Sequence, residues 1–405
     1  MPPWSRVALV SIAAALACAA SVAARPTAAP TLTSRLTHAL ASKYLPLSRT
    51  GAIAVDLESG GTVYAHLSTT PFVPASNEKL PVAWAGLVVL GPAYRFHTEL
   101  YGVGAREGST WDGDLVLKGF GDPTLTTADL DGLARQVARS GIRVVTGRVR
   151  GDESYYDRIR DAPGWKRGFV PIESPPLSAL VVDRAAGWPS LSPPLLAAKT
   201  LTGSLTKAGV EVEGRPGLGL TPHTAVPLAE DRSGTLASLV RYMNHESDNF
   251  TAEMLLKQLG AVSGERGSTA AGARAVISAL TQTGVPTAGL VLADGSGLSS
   301  LDRLTPASIV GVLHAAWLNQ TLRRPFVRSL AVASVSGTMR HRLPQLKGFV
   351  RAKTGTTDLA TALSGLIGNR YAFAVLENGT PVAYWAARIA QDRFVTLLAA
   401  TARTT

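Results

Sequence analysis

Hydrophobic and polar positions follow two rhythms along this chain, and their order predicts its architecture. Residues 51–67, GAIAVDLESGGTVYAHL, alternate on both sides of a Glu-Ser-Gly-Gly break, the mark of a hairpin. The stretch PASNEKLPVAWAGLVVLG, residues 74–91, then runs apolar for about three turns and reads as a helix that ends near Gly91-Pro92. From about residue 97 to 230 the texture changes to short strands, HTELYGVG, GDLVLKG, RVVTGRVRGD and GVEVEGRPGL, with one helical pattern at TTADLDGLARQVARSG. Helical spacing returns at Leu236, Leu239, Val240 and Met243, and FTAEMLLKQLG is expected to end on a Gly260 cap. STAAGARAVISALTQTG and TPASIVGVLHAAWL follow, the latter opening with Thr305 as cap and Pro306 in the first turn. GFVRAKTGT, LATALSGLIGN and YAFAVLENGT are strand-like, and a last helical stretch covers about 378–400. A hairpin at one end and three strands at the other predict an α/β (α+β) fold: one antiparallel sheet completed by both ends of a domain, flanked by helices. The strand-rich middle is then an insertion. The boundaries expected are 25–96 and 233–405 for the two parts of the main domain and 97–232 for the insertion.

The first residues stand apart. MPPWSRVALVSIAAALACAASVAA has a basic start at Arg6, an apolar run from Val7 to about Ala20 and small residues before Arg25. That is the layout of a secretory signal over 1–24, with cleavage expected after Ala23 or Ala24 and a retained anchor as the rival. No other segment approaches the roughly 20 apolar residues of a membrane span. The single cysteine, Cys18, lies inside this run, so the remaining chain has neither disulfides nor thiol chemistry. Export without disulfides suits a bacterial exported enzyme, periplasmic or wall-associated. The formal charge of +11 is not gathered into clusters interleaved with aromatics, so it does not indicate a nucleic-acid site. For an exported chain it points to contact with anionic wall polymers or a lipid surface. The seven histidines are scattered and suggest no metal or other cofactor.

Three short motifs could carry chemistry. Ser76 and Lys79 are one helical turn apart, with Cβ atoms about 5–6 Å from each other. A serine hydroxyl needs a base to become a nucleophile, and a buried lysine with a lowered pKa can be that base. A helix start adds free N–H groups suited to an oxyanion. The bland alternative is an N-cap serine beside a solvated lysine, and a second match, Ser204-Leu-Thr-Lys207, occurs in this same chain. That one leads into a turn and strand and is taken as a decoy. Pro81, just past the first turn, predicts a slightly bent helix start. Ser247-Asp248-Asn249 lies between two helices, where a hydroxyl and an amide can be presented to a cleft or can serve as ordinary turn residues. Lys353-Thr354-Gly355-Thr356 ends an apolar strand on which Lys353 and Gly355 face one way. There the lysine can bind a carboxylate and the glycine can leave room for a substrate backbone, whereas the bland role is an edge lysine that deters aggregation.

Ser-x-x-Lys, Ser-x-Asn and Lys-Thr-Gly in this order, at a helix start, an inter-helix loop and a strand, are the motifs of penicillin-recognising acyl-serine enzymes. From roughly 35 to 400 the chain resembles the D-alanyl-D-alanine carboxypeptidase/endopeptidase family of class C low-molecular-mass penicillin-binding proteins, with a β-lactamase/transpeptidase-like fold. The resemblance extends to GDLVLKGFGDPTL, VTGRVRGDESYYD, Pro163-Gly164-Trp165 and ADGSGLSSLDRLTP. It implies that Ser76 attacks the carbonyl between two terminal D-alanines of a peptidoglycan stem peptide, and that β-lactams acylate the same atom. Lys79 would take the serine proton. Ser247, held near Lys79, would pass a proton to the departing amine, with Asn249 orienting Lys79 and substrate. Lys353 and Thr354 would hold the terminal carboxylate beside Gly355, and the N–H groups of Ser76 and Thr356 would form the oxyanion hole. No cofactor is implied. Ser300 stands where family members often carry Arg, Asp358 and KRGFVPIES occupy regions where other polar partners are expected, and SVSGTM replaces a GxDGTL-like stretch. The third peptide residue and endopeptidase action therefore stay open. The rival readings are a β-lactamase or esterase on the same scaffold and a silent wall-binding protein.

Overall fold

The structure, a computed structural model, describes residues 31–402. The expected signal over 1–24 lies outside the described residues. Elements are numbered along the chain. The first sheet contains β1 (Thr50–Asp56), β2 (Thr62–His66), β10 (Ala331–Val332), β11 (Val350–Thr356), β12 (Ala360–Ile367) and β13 (Tyr371–Asn378). Its order is β10-β11-β12-β13-β1-β2, antiparallel throughout, with Ala52 opposite Val375 where the two ends of the chain meet. β1 and β13 have no polar face because both sides of the sheet are covered. Ile53, Val55, Ala374 and Leu376 pack into the helical layer, while Ala52, Ala54, Phe373 and Val375 pack against the opposite one.

That opposite layer is α1 (Leu32–Leu40) and α11 (Tyr384–Ala402). The helical layer holds α2 (Lys79–Val89), α6 (Leu236–Glu246), α7 (Asn249–Val262), α8 (Thr269–Gln282), α9 (Pro306–Leu318) and the short α10 (Arg323–Ser329). α2 is buried on all sides from Lys79 to Leu87, which suits a helix that is apolar all round and sits at the centre of the core. α9 has the expected Thr305 cap and Pro306 first turn. Two expectations of local detail change. α7 runs through Gly260 to Val262. A Cβ at Gly260 would meet the Gly272 nitrogen at 2.8 Å and the Ala271 Cβ at 2.9 Å, so the glycine permits close α7–α8 packing rather than capping a helix. The irregular start before Pro81 is a 3-10 turn, Ala75–Glu78, ahead of α2. Pro81 then falls in the first turn of α2, where it interrupts no helical hydrogen bond.

Residues 97–232 build a second sheet: β3 (His97–Glu107), β4 (Thr110–Gly119), β5 (Val144–Val145), β6 (Val149–Asp152), β7 (Glu211–Val212), β8 (Gly217–Leu218) and β9 (Val226–Arg232). The order is β7-β5-β4-β3-β9, with β6 paired to β4 and β8 to β6. α3 (Thr127–Arg139), capped by Thr126 in a reciprocal box with Asp129, covers it. Beside α3 lies α5 (Pro193–Lys207), which was not expected from the sequence. Ala197, Leu201 and Leu205 recur every fourth residue there, but two prolines at the start and several Thr and Gly residues mask the pattern. Ser204 and Lys207 occupy its last turn, remote from the motif they imitate. Between β6 and α5, the short α4 (Phe169–Ile172) and its loop reach back to the main domain.

Candidate active site

The 3-10 turn carrying Ser76 is held from two sides. Ala75 has φ +47°, a left-handed conformation that a non-glycine residue adopts only when its surroundings impose it. Gly297, itself at φ +82°, lies so close that a Cβ there would sit 1.9 Å from the Ala75 carbonyl oxygen. On the other side a Cβ at Gly355 would meet the Ser76 nitrogen at 3.0 Å and the Ala75 Cβ at 3.1 Å. The missing side chain of Gly355 therefore accommodates the serine turn itself.

Lys79 opens α2 and is fully buried. Its Nζ donates to Asn249 Oδ1 at 2.8 Å, to the Ser296 carbonyl at 2.5 Å and to Ser76 Oγ at 3.0 Å. The first two partners are obligate acceptors. When the amine is neutral they retain its N–H groups, and its lone pair is left facing the Ser76 hydroxyl. Asn249 is the first residue of α7, and its Nδ2 donates to the Glu173 carbonyl at 2.9 Å, next to α4. Asp248 caps α7 through the Thr251 N–H at 2.8 Å and receives Arg184 Nη1 at 2.9 Å.

Ser247 ends α6 at φ +60°. Lys353 Nζ donates to Ser247 Oγ at 2.8 Å and to the Thr354 carbonyl at 2.7 Å. The Ser247 hydroxyl is thus held by the strand lysine. Lys353 and Gly355 point to the helical layer. The neighbouring positions Val350 and Ala352 face the α1–α11 layer, as strand alternation requires. Thr354, Gly355 and Thr356 line a 290 Å³ cavity with Thr338, Arg388 and Tyr384. Thr356 also borders a 440 Å³ cleft, whose other walls include Phe169, Glu173, Ser299, Ser300 and Tyr384. Lys166 and Asp358 are ion-paired on the cleft wall.

Burial is the first cause that lowers both amines. It brings Lys79 to about 8, against carboxylates at Asp294, Glu253, Asp248 and Glu78 that push it back up. Lys353 falls well below the ordinary lysine range through burial and then through the charge on Lys79.

Sequence reasoning did not find the acids behind Lys79. Glu253 Oε1 accepts from the Gly295 and Ser296 N–H groups at 2.9 and 2.8 Å, so it anchors the carbonyl that receives the lysine. Asp294 accepts from the Gly297 N–H at 2.7 Å, the Ser299 N–H at 2.8 Å and Trp165 Nε1 at 2.8 Å. Burial pushes Glu253 up to about 8 and raises Glu78 and Asp302 well above the usual carboxylate range, with mutual repulsion adding to each. The one signal in the sequence was acids set inside otherwise apolar helical runs, at Glu78 and Glu253. Pro163-Gly164-Trp165 also has its use here: Trp165 binds Asp294, and the Pro163 carbonyl accepts from Ser299 Oγ at 2.7 Å. Among the described residues no three His, Cys, Asp or Glu side chains are grouped to hold a metal ion.

The chain is similar to known proteins in sequence and in fold. The model of the D-Ala-D-Ala carboxypeptidase 3 (S13) family matches residues 32–194 and 188–401. The chain belongs to this family. The carboxypeptidase is 30% identical to the D-alanyl-D-alanine carboxypeptidase of an Actinomadura strain, over 82% of this chain and 78% of that protein. It is 32% identical to carboxypeptidase DacB of Mycolicibacterium smegmatis, over 85% of this chain and 79% of the relative. The fold matches the crystal structure of penicillin binding protein 4 from Haemophilus influenzae with a TM-score of 0.81 at 22% identity, covering 91% of this chain and 99% of that one. It is a serine-type peptidase with the mixed, antiparallel-sheet fold expected from its sequence.

Proposed function

We propose that Ser76 is the acylating nucleophile and that the carboxypeptidase releases the terminal D-alanine of peptidoglycan stem peptides through it. The observation that carries this is the Lys79 amine, fully buried, brought to about 8 and placed 3.0 Å from Ser76 Oγ with two other acceptors occupying its N–H groups. Lys79 Nζ takes the hydroxyl proton as Ser76 Oγ bonds to the carbonyl carbon, and the carbonyl π electrons move onto oxygen. The N–H groups of Ser76 and Thr356 receive that oxyanion. As it collapses, the C–N bond to the leaving D-alanine breaks. Ser247, held by Lys353, relays the proton that Lys79 has taken to the departing amine, which leaves Lys79 neutral. Thr354 and Thr356 bind the substrate carboxylate beside Arg388 in the smaller cavity, and Lys353 acts on it through Ser247. Asn249 positions Lys79 and the substrate amide. Water then attacks the ester carbonyl as Lys79 takes its proton, the bond between the carbonyl carbon and Ser76 Oγ breaks, and that proton returns to Ser76 Oγ.

A β-lactam follows the same first steps and leaves an adduct on the serine. The same acyl transfer at a cross-linked D,D bond gives endopeptidase action, which turnover of a cross-linked muropeptide dimer measures. The residue boundaries 25–96, 97–232 and 233–405 are proposed as domain limits, and the basic, apolar N-terminus over 1–24 supports export to the periplasm or wall. No described helix is long and apolar enough to cross a membrane. The test is incubation with penicillin followed by peptide mass mapping. An adduct on the peptide holding Ser76, absent from Ser76→Ala, is expected, whereas an adduct at Ser204 overturns the assignment.

A further inference from the structure

Away from the catalytic cleft, α6, α10 and the start of β11 enclose a groove of 730 Å³. Four guanidinium groups line it, Arg241 from α6, Arg324 and Arg328 from α10 and Arg351 from β11, together with His245. No aspartate or glutamate lines the groove. Among the described residues these four arginine side chains have neither an ion pair nor a hydrogen bond, while Arg160, Arg184, Arg342 and Arg370 each have a carboxylate. The charges of Arg241 and Arg351 both bear on His245, so the cluster is close enough to interact, and Glu246 is the acid whose charge also reaches that ring. Pro92, Pro325, Val332 and Val335 supply an apolar floor. The groove is built on two elements that also carry residues of the reaction centre. Arg351 and Lys353 share a face of β11, and His245 and Ser247 are two residues apart at the end of α6.

Unpaired like charges gathered in a concavity repel one another, and a bound anion relieves that repulsion. Guanidinium forks match the oxygen pairs of a phosphate. We propose that this groove binds a phosphodiester-bearing chain, a wall polymer of the polyol-phosphate type, and so holds the enzyme along its substrate layer. A lipid headgroup offers the same phosphate, but a flat bilayer cannot enter a groove, whereas a thin, flexible chain can. This binding is independent of the Ser76 assignment and is read without catalysis.

The test measures binding of a fluorescent poly(glycerol phosphate) oligomer by anisotropy at 20 and 150 mM NaCl. Wild type is expected to bind, more weakly at the higher salt. The triple variant Arg241→Gln/Arg324→Gln/Arg328→Gln is expected to lose at least tenfold in affinity at an unchanged Tm. The single Arg328→Gln variant, an exposed change, is expected to lose a smaller factor in the same direction should the triple variant unfold. Equal binding by the variants, or no binding by wild type at 20 mM NaCl, overturns the proposal. So does tighter binding to poly-glutamate, or to vesicles containing phosphatidylglycerol, than to the polymer.

Discussion

Gly297→Ala tests whether the clamp on the Ser76 turn sets the reaction geometry. The added Cβ would lie 1.9 Å from the Ala75 carbonyl oxygen, 2.4 Å from its carbon and 3.0 Å from the Ser76 nitrogen, where ordinary contact begins at 3.4 Å. One side must give by about 1.5 Å. Alanine at φ +82° adds roughly 1–2 kcal/mol of backbone strain. The loop is tied to Asp294 and Glu253 by five backbone or side-chain hydrogen bonds from residues 295–299, so the serine turn, already strained at Ala75, is the side that moves. A displacement near 1 Å at reacting atoms costs about 100-fold, or roughly 2.7 kcal/mol of transition-state stabilisation. The expected result is a fall of about 100-fold or more in the second-order rate of acylation by fluorescent penicillin, with near-UV circular dichroism showing a folded protein. Gly355→Ala is the graded comparison. Its nearest contacts are 3.0–3.1 Å, so movement of a few tenths of an ångström suffices and a loss of about tenfold or less is expected. Acylation of Gly297→Ala within threefold of wild type would refute the reasoning.

Three further outcomes follow from the buried charges and hydrogen bonds. With Lys79 at about 8 and required neutral, the acylation rate should rise about tenfold from pH 6 to pH 7 and level off above about 8, and a flat profile contradicts its role as base. Glu377 is buried, its Oε2 accepts from Gln391 Nε2 at 2.6 Å, and burial pushes it up to about 8. A carboxyl whose folded pKa is raised contributes stability fully below its unfolded value, near 4.5, and loses it as pH climbs through 8. The Tm of Glu377→Gln relative to wild type should therefore improve between pH 5 and pH 8, and no change in that difference refutes the burial argument. Trp165→Phe removes the Trp165 Nε1 bond to Asp294. Stability should fall by about 1 kcal/mol in urea titration and acylation by roughly three- to tenfold, and an unchanged acylation rate detaches the insertion from the reaction centre.

Local rules made much of this fold legible in the order of residues. Period-two alternation around Glu58-Ser59-Gly60-Gly61 marked the β1–β2 hairpin, and the Thr305-Pro306 start marked α9, because each depends on neighbours in the chain. Ser76 and Lys79 were legible for the same reason: three residues' separation in a helical turn makes their encounter a matter of geometry. α5 escaped because its prolines and small polar residues weaken a helical signal that packing on α3 then enforces. Distances between segments far apart in the chain emerged only with packing. Lys353 met Ser247, Gly355 made room for the Ser76 turn, and Gly260 joined two helices instead of ending one. The depressed amines belong to the same class. A lysine's pKa depends on how much water surrounds it and which carboxylates share its cavity, and Glu253 and Asp294 enter that cavity only when α7 and the 293–299 loop pack behind α2.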